Sequence, residues 1–409
     1  MDLQALFAER IGGRQFGLGN EIYKFEKIKR AKRAALAARP SVEMLDFGVG
    51  EPDRMAPASI RRALKKAVDD PENRGYADNG IQAFKDAAAV YMEKFFGVRG
   101  LDPATEINHT IGSKSALAML PLCFIDPGDA ALLTVPGYPV MGTHAKYLGG
   151  RVVRVPLLEK NGILPDLDRL EAEEDLSRVK LFYVNYPNNP TGAAATGGFF
   201  DKLIAFAQRH NILIVQDAAY ATLIYGKERL SILGRDGGKD CAIELHSMSK
   251  SYNMTGWRLG FVAGNPAAVK AVAEVKDNMD SGQFKAIQVA ACAGIADEGS
   301  AEKIKRHYQR RLRGMVKVLK AAGFKARMPG GTFYLYVPAP KGTKNGLVFP
   351  NAEEASQYLI KEHSISTVPW DDAGAFLRFS ATFESAGDKD DARVLAELAS
   401  RLASAGLVF

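Results

Sequence analysis

Apolar residues fall along this chain in two rhythms. Short, nearly unbroken apolar runs alternate with longer segments in which apolar residues return every three or four positions. The runs cover residues 44–49, 107–111, 130–135 (AALLTV), 179–186 (VKLFYVNY), 212–215 (ILIV), 241–246 and 258–263 (RLGFVA). Runs of this length are read as strands covered on both faces, as in a parallel sheet. The segments between them supply helical crossovers, so the middle of the chain is expected to be a doubly wound, mostly parallel α/β sheet. After residue 295 the rhythm changes to a long helix over 300–322, a strand at 332–337, another helix, a strand at 376–380 and a last helix. That predicts an α+β layout. The expected division is an N-terminal arm and part of a small domain over 1–50, a large α/β domain over 51–295, and the rest of a smaller α+β domain over 296–409.

Composition narrows the class. With 409 residues, 47% hydrophobic and 25% charged, the chain is no disordered segment. No stretch approaches the roughly 20 apolar residues of a membrane helix, and the opening MDLQALFAERIGGRQF has no basic-then-apolar leader. No membrane partner and no export are expected. Cys123, Cys241 and Cys292 stand far apart, odd in number and without a CxxC pair. A disulfide framework and a metal site are thereby set aside, and a reducing, cytoplasmic setting is expected. The net charge of +7 is spread along the chain, and its densest basic stretches are residues 24–33 (KFEKIKRAKR) and 303–313 (KIKRHYQRRLR). Both have helical spacing without interleaved aromatics, so they are read as solvated helix faces, with no nucleic-acid partner.

Ligands in open α/β sheets bind at the carboxyl ends of strands. The run 179–186 is followed by Asn188-Asn189-Pro190-Thr191-Gly192, and the run 212–215 by Gln216-Asp217-Ala218-Ala219-Tyr220. The run 241–246 leads into Ser247-Met248-Ser249-Lys250, with Arg258 following in Gly256-Trp257-Arg258-Leu259-Gly260. Each group alone is ordinary turn or cap chemistry. Together they carry more weight. Asn189 and Asp217 are 28 residues apart, and Asp217 and Lys250 are 33 apart, each gap fitting one βα crossover. An amide, a carboxylate and an amine therefore fall on neighbouring strands.

This ordered set resembles the fold-type I aminotransferases, the pyridoxal-phosphate enzymes of the aspartate aminotransferase superfamily, over nearly the whole chain. The resemblance implies that Lys250, in SMSKSYNMTGWRLG, carries pyridoxal 5'-phosphate and acts as general base. A buried ammonium loses its proton readily and becomes the nucleophile that such a task needs. It also implies that Asp217 keeps the cofactor's ring nitrogen protonated, and that Asn189 and Tyr220 bond the ring hydroxyl. Ser113 and Lys114 after Gly112, at an expected helix N-terminus, would take the phosphate, with Ser247, Ser249 and Arg258. Tyr138, in PGYP, would stack on the ring. Tyr76, in RGYADNGI, would reach the phosphate of a partner subunit, which implies a homodimer. Arg378, in AFLRFS, would grip the substrate α-carboxylate with a planar bidentate fork. Tyr138, Asn189 and Gly50 complete the implied substrate contacts, Gly50 where main chain must come close.

Within that superfamily the chain is most similar to the LL-diaminopimelate aminotransferases. It has Lys114 where many relatives have threonine, YKFEKI over 23–28, which places Tyr23 at the substrate, and TFYLYVPAPKG over 332–342. A helix is expected to begin at Asp280, near the place of a cofactor-contacting asparagine that here reads Ser281. Gly50-Glu51-Pro52-Asp53 and Val368-Pro369-Trp370-Asp371-Asp372 depart from the common pattern and mark a divergent group. The implied reaction moves an amino group between LL-2,6-diaminopimelate and 2-oxoglutarate, giving tetrahydrodipicolinate and glutamate, a step toward lysine and peptidoglycan. Aspartate, alanine or aromatic aminotransfer and a β-lyase reaction are alternatives on the same fold. Tyr23, Glu51, Lys114 and Trp370 are candidates for the distal end of the substrate. A ligand sensor behind a DNA-binding module is the alternative from another class, and no helix-turn-helix pattern precedes the first motif.

Overall fold

A computed structural model describes residues 1–18, 24–226 and 228–409. A short strand β1 (Leu45–Asp46) precedes the strands of the main sheet: β2 (Ile107–Thr110), β3 (Ala130–Val135), β4 (Arg151–Pro156), β5 (Val179–Asn185), β6 (Leu213–Asp217), β7 (Ala242–Ser247) and β8 (Gly260–Gly264). Their order is β2-β8-β7-β6-β5-β3-β4. The pairs from β4 through β7 are parallel, and β8 runs antiparallel to both β7 and β2. The mostly parallel α/β sheet expected from the apolar runs is therefore present, with one reversed strand.

The central strands are buried along nearly their whole length because helices cover both faces. On one side Leu181, Val215 and Leu245 pack against Leu117 and Leu120 of helix Ser113–Phe124, Met141 of helix Val140–Tyr147 and Val269 of helix Pro266–Asp277. On the other, Phe182, Ile214 and Phe261 meet Phe84 of helix Gln82–Phe96, Leu203 of helix Gly197–His210 and Ala290 of helix Lys285–Ala296.

The C-terminal third adds β9 (Tyr334–Pro338), β10 (Gly342–Thr343), β11 (Ile365–Ser366), β12 (Val368–Trp370), β13 (Phe376–Ser380) and β14 (Leu407–Val408). An antiparallel sheet of order β12-β13-β9 packs with helices Glu298–Ala321, Ala352–His363 and Asp388–Ser404, and β1 joins β11 in parallel. Leu45 and Phe47 thus share a core with Tyr308, Leu335, Phe379 and Leu398.

Three local expectations need correction. Arg258 and Leu259 lie outside any strand: Arg258 takes a left-handed conformation (φ 58°) after the turn Thr255–Trp257, and β8 starts at Gly260. Residues 280–284 form a loop, and the helix starts at Lys285. Gly282 has φ +83°, and a side chain there would strike the backbone of Ala77 and Asp78, so a helix beginning at Asp280 is excluded. The basic stretch 303–313 is also more than a solvated face. Arg311 is 1% exposed, donating to Asp391 and to the carbonyls of Ala381 and Phe383, and it faces Asp53 at 3.2 Å. His307 and Tyr308 contact the same Asp53 carboxylate.

No helix among the described residues is long and apolar enough to cross a membrane. No cluster there has the composition to hold a metal ion, and the three cysteines are free.

Candidate active site

The carboxyl ends of β5, β6 and β7 open onto a cavity of about 360 Å³. Gly50, Ser113, Lys114, Tyr138, Asn189, Asp217, Tyr220, Ser247, Ser249, Lys250, Arg258 and Arg378 all line it. Tyr76 is 81% exposed and outside the cavity, and Tyr23 lies outside the described residues.

Asp217, the last residue of β6, forms the inner wall. Its Oδ1 accepts from the Ala219 N–H at 3.2 Å and its Oδ2 from the Tyr183 hydroxyl at 3.1 Å. Burial pushes this carboxyl up to about 6, while those two donors and the nearby His246 pull the other way. Lys250, in the turn of helix Met248–Ser251 after β7, donates from Nζ to the Gly50 carbonyl at 2.9 Å. Burial lowers its amine to about 8; Glu51 opposes the fall, and Arg258 and Arg378 add to it. An uncharged lysine amine is therefore accessible near neutral pH.

The opposite end is built for an anion. Helix Ser113–Phe124 begins at the cavity, where its unpaired N–H groups and dipole favour negative charge. Gly112 before it has φ 72° and ψ 161°, a region open essentially to glycine alone, and a Cβ there would come within 2.6 Å of Arg258 Nη2. Ser249 Oγ is buried and has no partner among the described residues. Such an orphan costs stability unless a ligand supplies its partner.

Arg378, on β13, is 3% exposed. Its Nη1 donates to Asn189 Oδ1 at 2.9 Å and its Nη2 to the Gly48 carbonyl at 3.1 Å, while Nε lacks an acceptor among the described residues. The guanidinium lies over the Tyr334 ring, 4.1 Å from its centre. The Tyr334 hydroxyl is 3.0 Å from that of Tyr220.

Tyr334, Asn185 and Ala219 line the cavity without having been anticipated. Asn185 ends β5, so the strand-end rule could have found it. Its Nδ2 donates to the Asp217 carbonyl and its Oδ1 accepts from the Asn189 N–H, tying two site residues together. Of the distal-end candidates, Lys114 is in the cavity and Glu51 is exposed beside it. Trp370 lines an adjoining cavity of about 680 Å³ that shares Tyr138, Asn189 and Arg378.

The residues fit pyridoxal phosphate on their own chemistry: an amine of lowered pKa, a buried carboxylate at one end, and at the other a helix N-terminus with an arginine and an unpartnered serine hydroxyl.

Comparison with known proteins supplies the family. The family described as aminotransferase class I and II matches residues 42–397. A protein of Methanococcus maripaludis named LL-diaminopimelate aminotransferase is 54% identical over 412 aligned positions, covering 100% of this chain and 99% of that one. A protein of the same name from Methanocaldococcus jannaschii is also 54% identical, over 93% of this chain and 91% of its own. Among solved structures, substrate-bound BacF from Bacillus subtilis superposes with a TM-score of 0.86 at 30% identity, over 99% of this chain and 98% of that one. By the family match over most of its length and these whole-chain identities, the chain belongs to the class I and II aminotransferases.

Proposed function

We propose that this aminotransferase moves an amino group between LL-2,6-diaminopimelate and 2-oxoglutarate, with tetrahydrodipicolinate and glutamate as the other pair. The observation that carries the substrate is the 54% identity, along the whole chain, to a relative named for that reaction.

Pyridoxal 5'-phosphate is the cofactor on this reading, held at Lys250, with Asp217 at its ring nitrogen, Asn189 and Tyr220 at its ring hydroxyl, and Tyr138 against its face. Ser113, Lys114, Ser247, Ser249 and Arg258 would hold the phosphate. When bound, this group supplies an electron sink for the pair left behind as the substrate α-proton departs. The chain's own residues do the rest. Arg378 binds the α-carboxylate through paired N–H groups, fixing the substrate's orientation. Lys250 Nζ, uncharged once deprotonated, takes the proton from the substrate α-carbon as general base. Asp217 stays ionised at the ring nitrogen. Gly50, whose carbonyl accepts from Lys250, places main chain against the bound substrate. Both substrates carry an α-carboxylate, so one arginine serves both half-reactions.

The protein is further proposed to act as a cytoplasmic homodimer. Tyr76, 81% exposed and away from its own cavity, supports a residue that serves a second copy. The three free cysteines support a reducing setting.

A coupled assay with 2-oxoglutarate as acceptor tests the substrate. Turnover of LL-diaminopimelate well above the meso isomer, aspartate and aromatic amino acids is expected. Rapid turnover of aspartate with none of LL-diaminopimelate would sink the assignment.

A further inference from the structure

Asp217 is gripped from behind by a residue that no motif picks out. Tyr183 lies in the middle of β5, level with Val215 of β6, two residues before the Asn185–Asp217 pair in the same register. Side chains two apart on a strand share a face, so Tyr183 stands beside Asp217 beneath the cavity floor. It is 0% exposed, within the core formed by Leu181, Val215 and Leu245. For packing alone, phenylalanine would fill that space. The hydroxyl is a different matter, because a buried phenol must find a partner. Its partner here is Asp217 Oδ2, at 3.1 Å.

We propose that Tyr183 is a positioning residue for the cofactor, its hydroxyl fixing the Asp217 carboxylate in place and keeping it ionised toward the ring nitrogen of pyridoxal phosphate. The proposal rests on the cofactor reading given above.

Two donors on two different oxygens, the Tyr183 hydroxyl and the Ala219 N–H, stop the carboxylate from rotating about its Cβ–Cγ bond. An ionised carboxylate has about four acceptor sites, so two taken by protein donors leave room for a ring N–H. The donors also oppose burial, which favours the neutral acid and holds this group up at about 6 even with both in place. The other groups facing it are His246 on β7, Tyr138 and Tyr220 beside the cavity, and the cations Lys250 and Arg258 across it. Loss of the Tyr183 hydroxyl raises the carboxyl further. The neutral acid cannot balance a protonated ring nitrogen, so the ring contact weakens while the phosphate contacts are untouched.

The test compares cofactor-free parent and Tyr183→Phe proteins. Dissociation constants are measured by tryptophan quenching for pyridoxal phosphate and for its carbocyclic analogue, in which C–H replaces the ring nitrogen, across the acid-to-neutral range. Circular dichroism confirms that the variant is folded, which the retained ring favours. The expected result is a loss of about tenfold or more for pyridoxal phosphate in the variant, little or no loss for the analogue, and an upward shift of the pH below which binding falls off. Equal losses for the two ligands with an unmoved pH profile would make Tyr183 a packing residue and overturn the proposal. A parent protein that captures no pyridoxal phosphate, or does not distinguish it from the analogue, would instead overturn the cofactor reading.

Discussion

Replacing Arg378 by lysine separates charge from geometry. The guanidinium is held before any substrate arrives, by Asn189 Oδ1 at 2.9 Å, the Gly48 carbonyl at 3.1 Å and the Tyr334 ring at 4.1 Å. Little side-chain freedom is therefore lost when a carboxylate takes the remaining N–H groups. Lysine keeps the positive charge but presents it as a point with three rotating donors. With one donor committed to Asn189, it meets the carboxylate through a single N–H. One of two parallel charge-assisted bonds goes, about 1.5–3 kcal/mol, and the ring contact that steadies the cation goes with it, about 0.5–1 kcal/mol. Together these amount to about 2–4 kcal/mol, or a fall of roughly 30- to 1000-fold in kcat/KM. Steady-state kinetics with LL-diaminopimelate read the change, and the absorbance of the bound cofactor checks that the site is still loaded. A kcat/KM within about threefold of the parent would show that charge alone suffices and that the fork has no role.

Three further outcomes follow from the electrostatics. The neutral amine is the form that attacks an aldehyde, so capture of pyridoxal phosphate by the cofactor-free protein is expected to quicken with pH and level off above about 8. Glu51→Gln removes the charge that resists the fall of Lys250, so the midpoint in stopped-flow absorbance should move down; an unmoved midpoint contradicts the account. Arg311→Met removes the buried cation that Asp53 and Asp391 share, leaving His307 at Asp53 and Arg310 at Asp391, and is expected to cost about 3 kcal/mol, the lower end for breaking a buried ion pair. Burial works to raise Asp53 and Asp391, yet a bond from His307 and the charge of Arg311 at Asp53, and bonds from Arg311, Ser385 and Arg310 at Asp391, hold both below the usual carboxylate range. Their stabilisation is complete above the unfolded value near 3.9 and is lost as pH falls through the lower folded values. Guanidinium unfolding at neutral and acidic pH should show the variant weaker at neutrality and its acid unfolding shifted to higher pH. An unchanged midpoint at neutrality refutes the role of Arg311.

The cavity was legible wherever a buried parallel strand ended. Asp217 and Lys250 follow apolar runs directly, and crossover spacing puts their strands side by side. Tyr334 was not legible, because its meeting with Arg378 depends on the antiparallel register of β9 and β13, which sets Arg378 level with Tyr336 and diagonal to Tyr334. Two strands so far apart in sequence leave no local trace of that register. The phase of helix Glu298–Ala321 was readable but hidden by charge. His307 and Arg311 are four residues apart on the stripe that carries Ile304, Tyr308 and Leu312 inward. Tyr183 left no sign at all, since one tyrosine in an apolar run looks like any core aromatic until its hydroxyl is seen on Asp217.

The pairing of Leu45 and Asp46 with Ile365 and Ser366 has a bearing on how the chain is born. The partners are made about 320 residues later, and at about 5–20 residues per second the ribosome needs roughly 15 to 60 seconds to deliver them. Throughout that interval Phe47, which ends fully enclosed, lacks its ring neighbours Phe379 and Phe383. Strands β2 to β8 emerge meanwhile and can close among themselves, so the opening segment is among the last to settle.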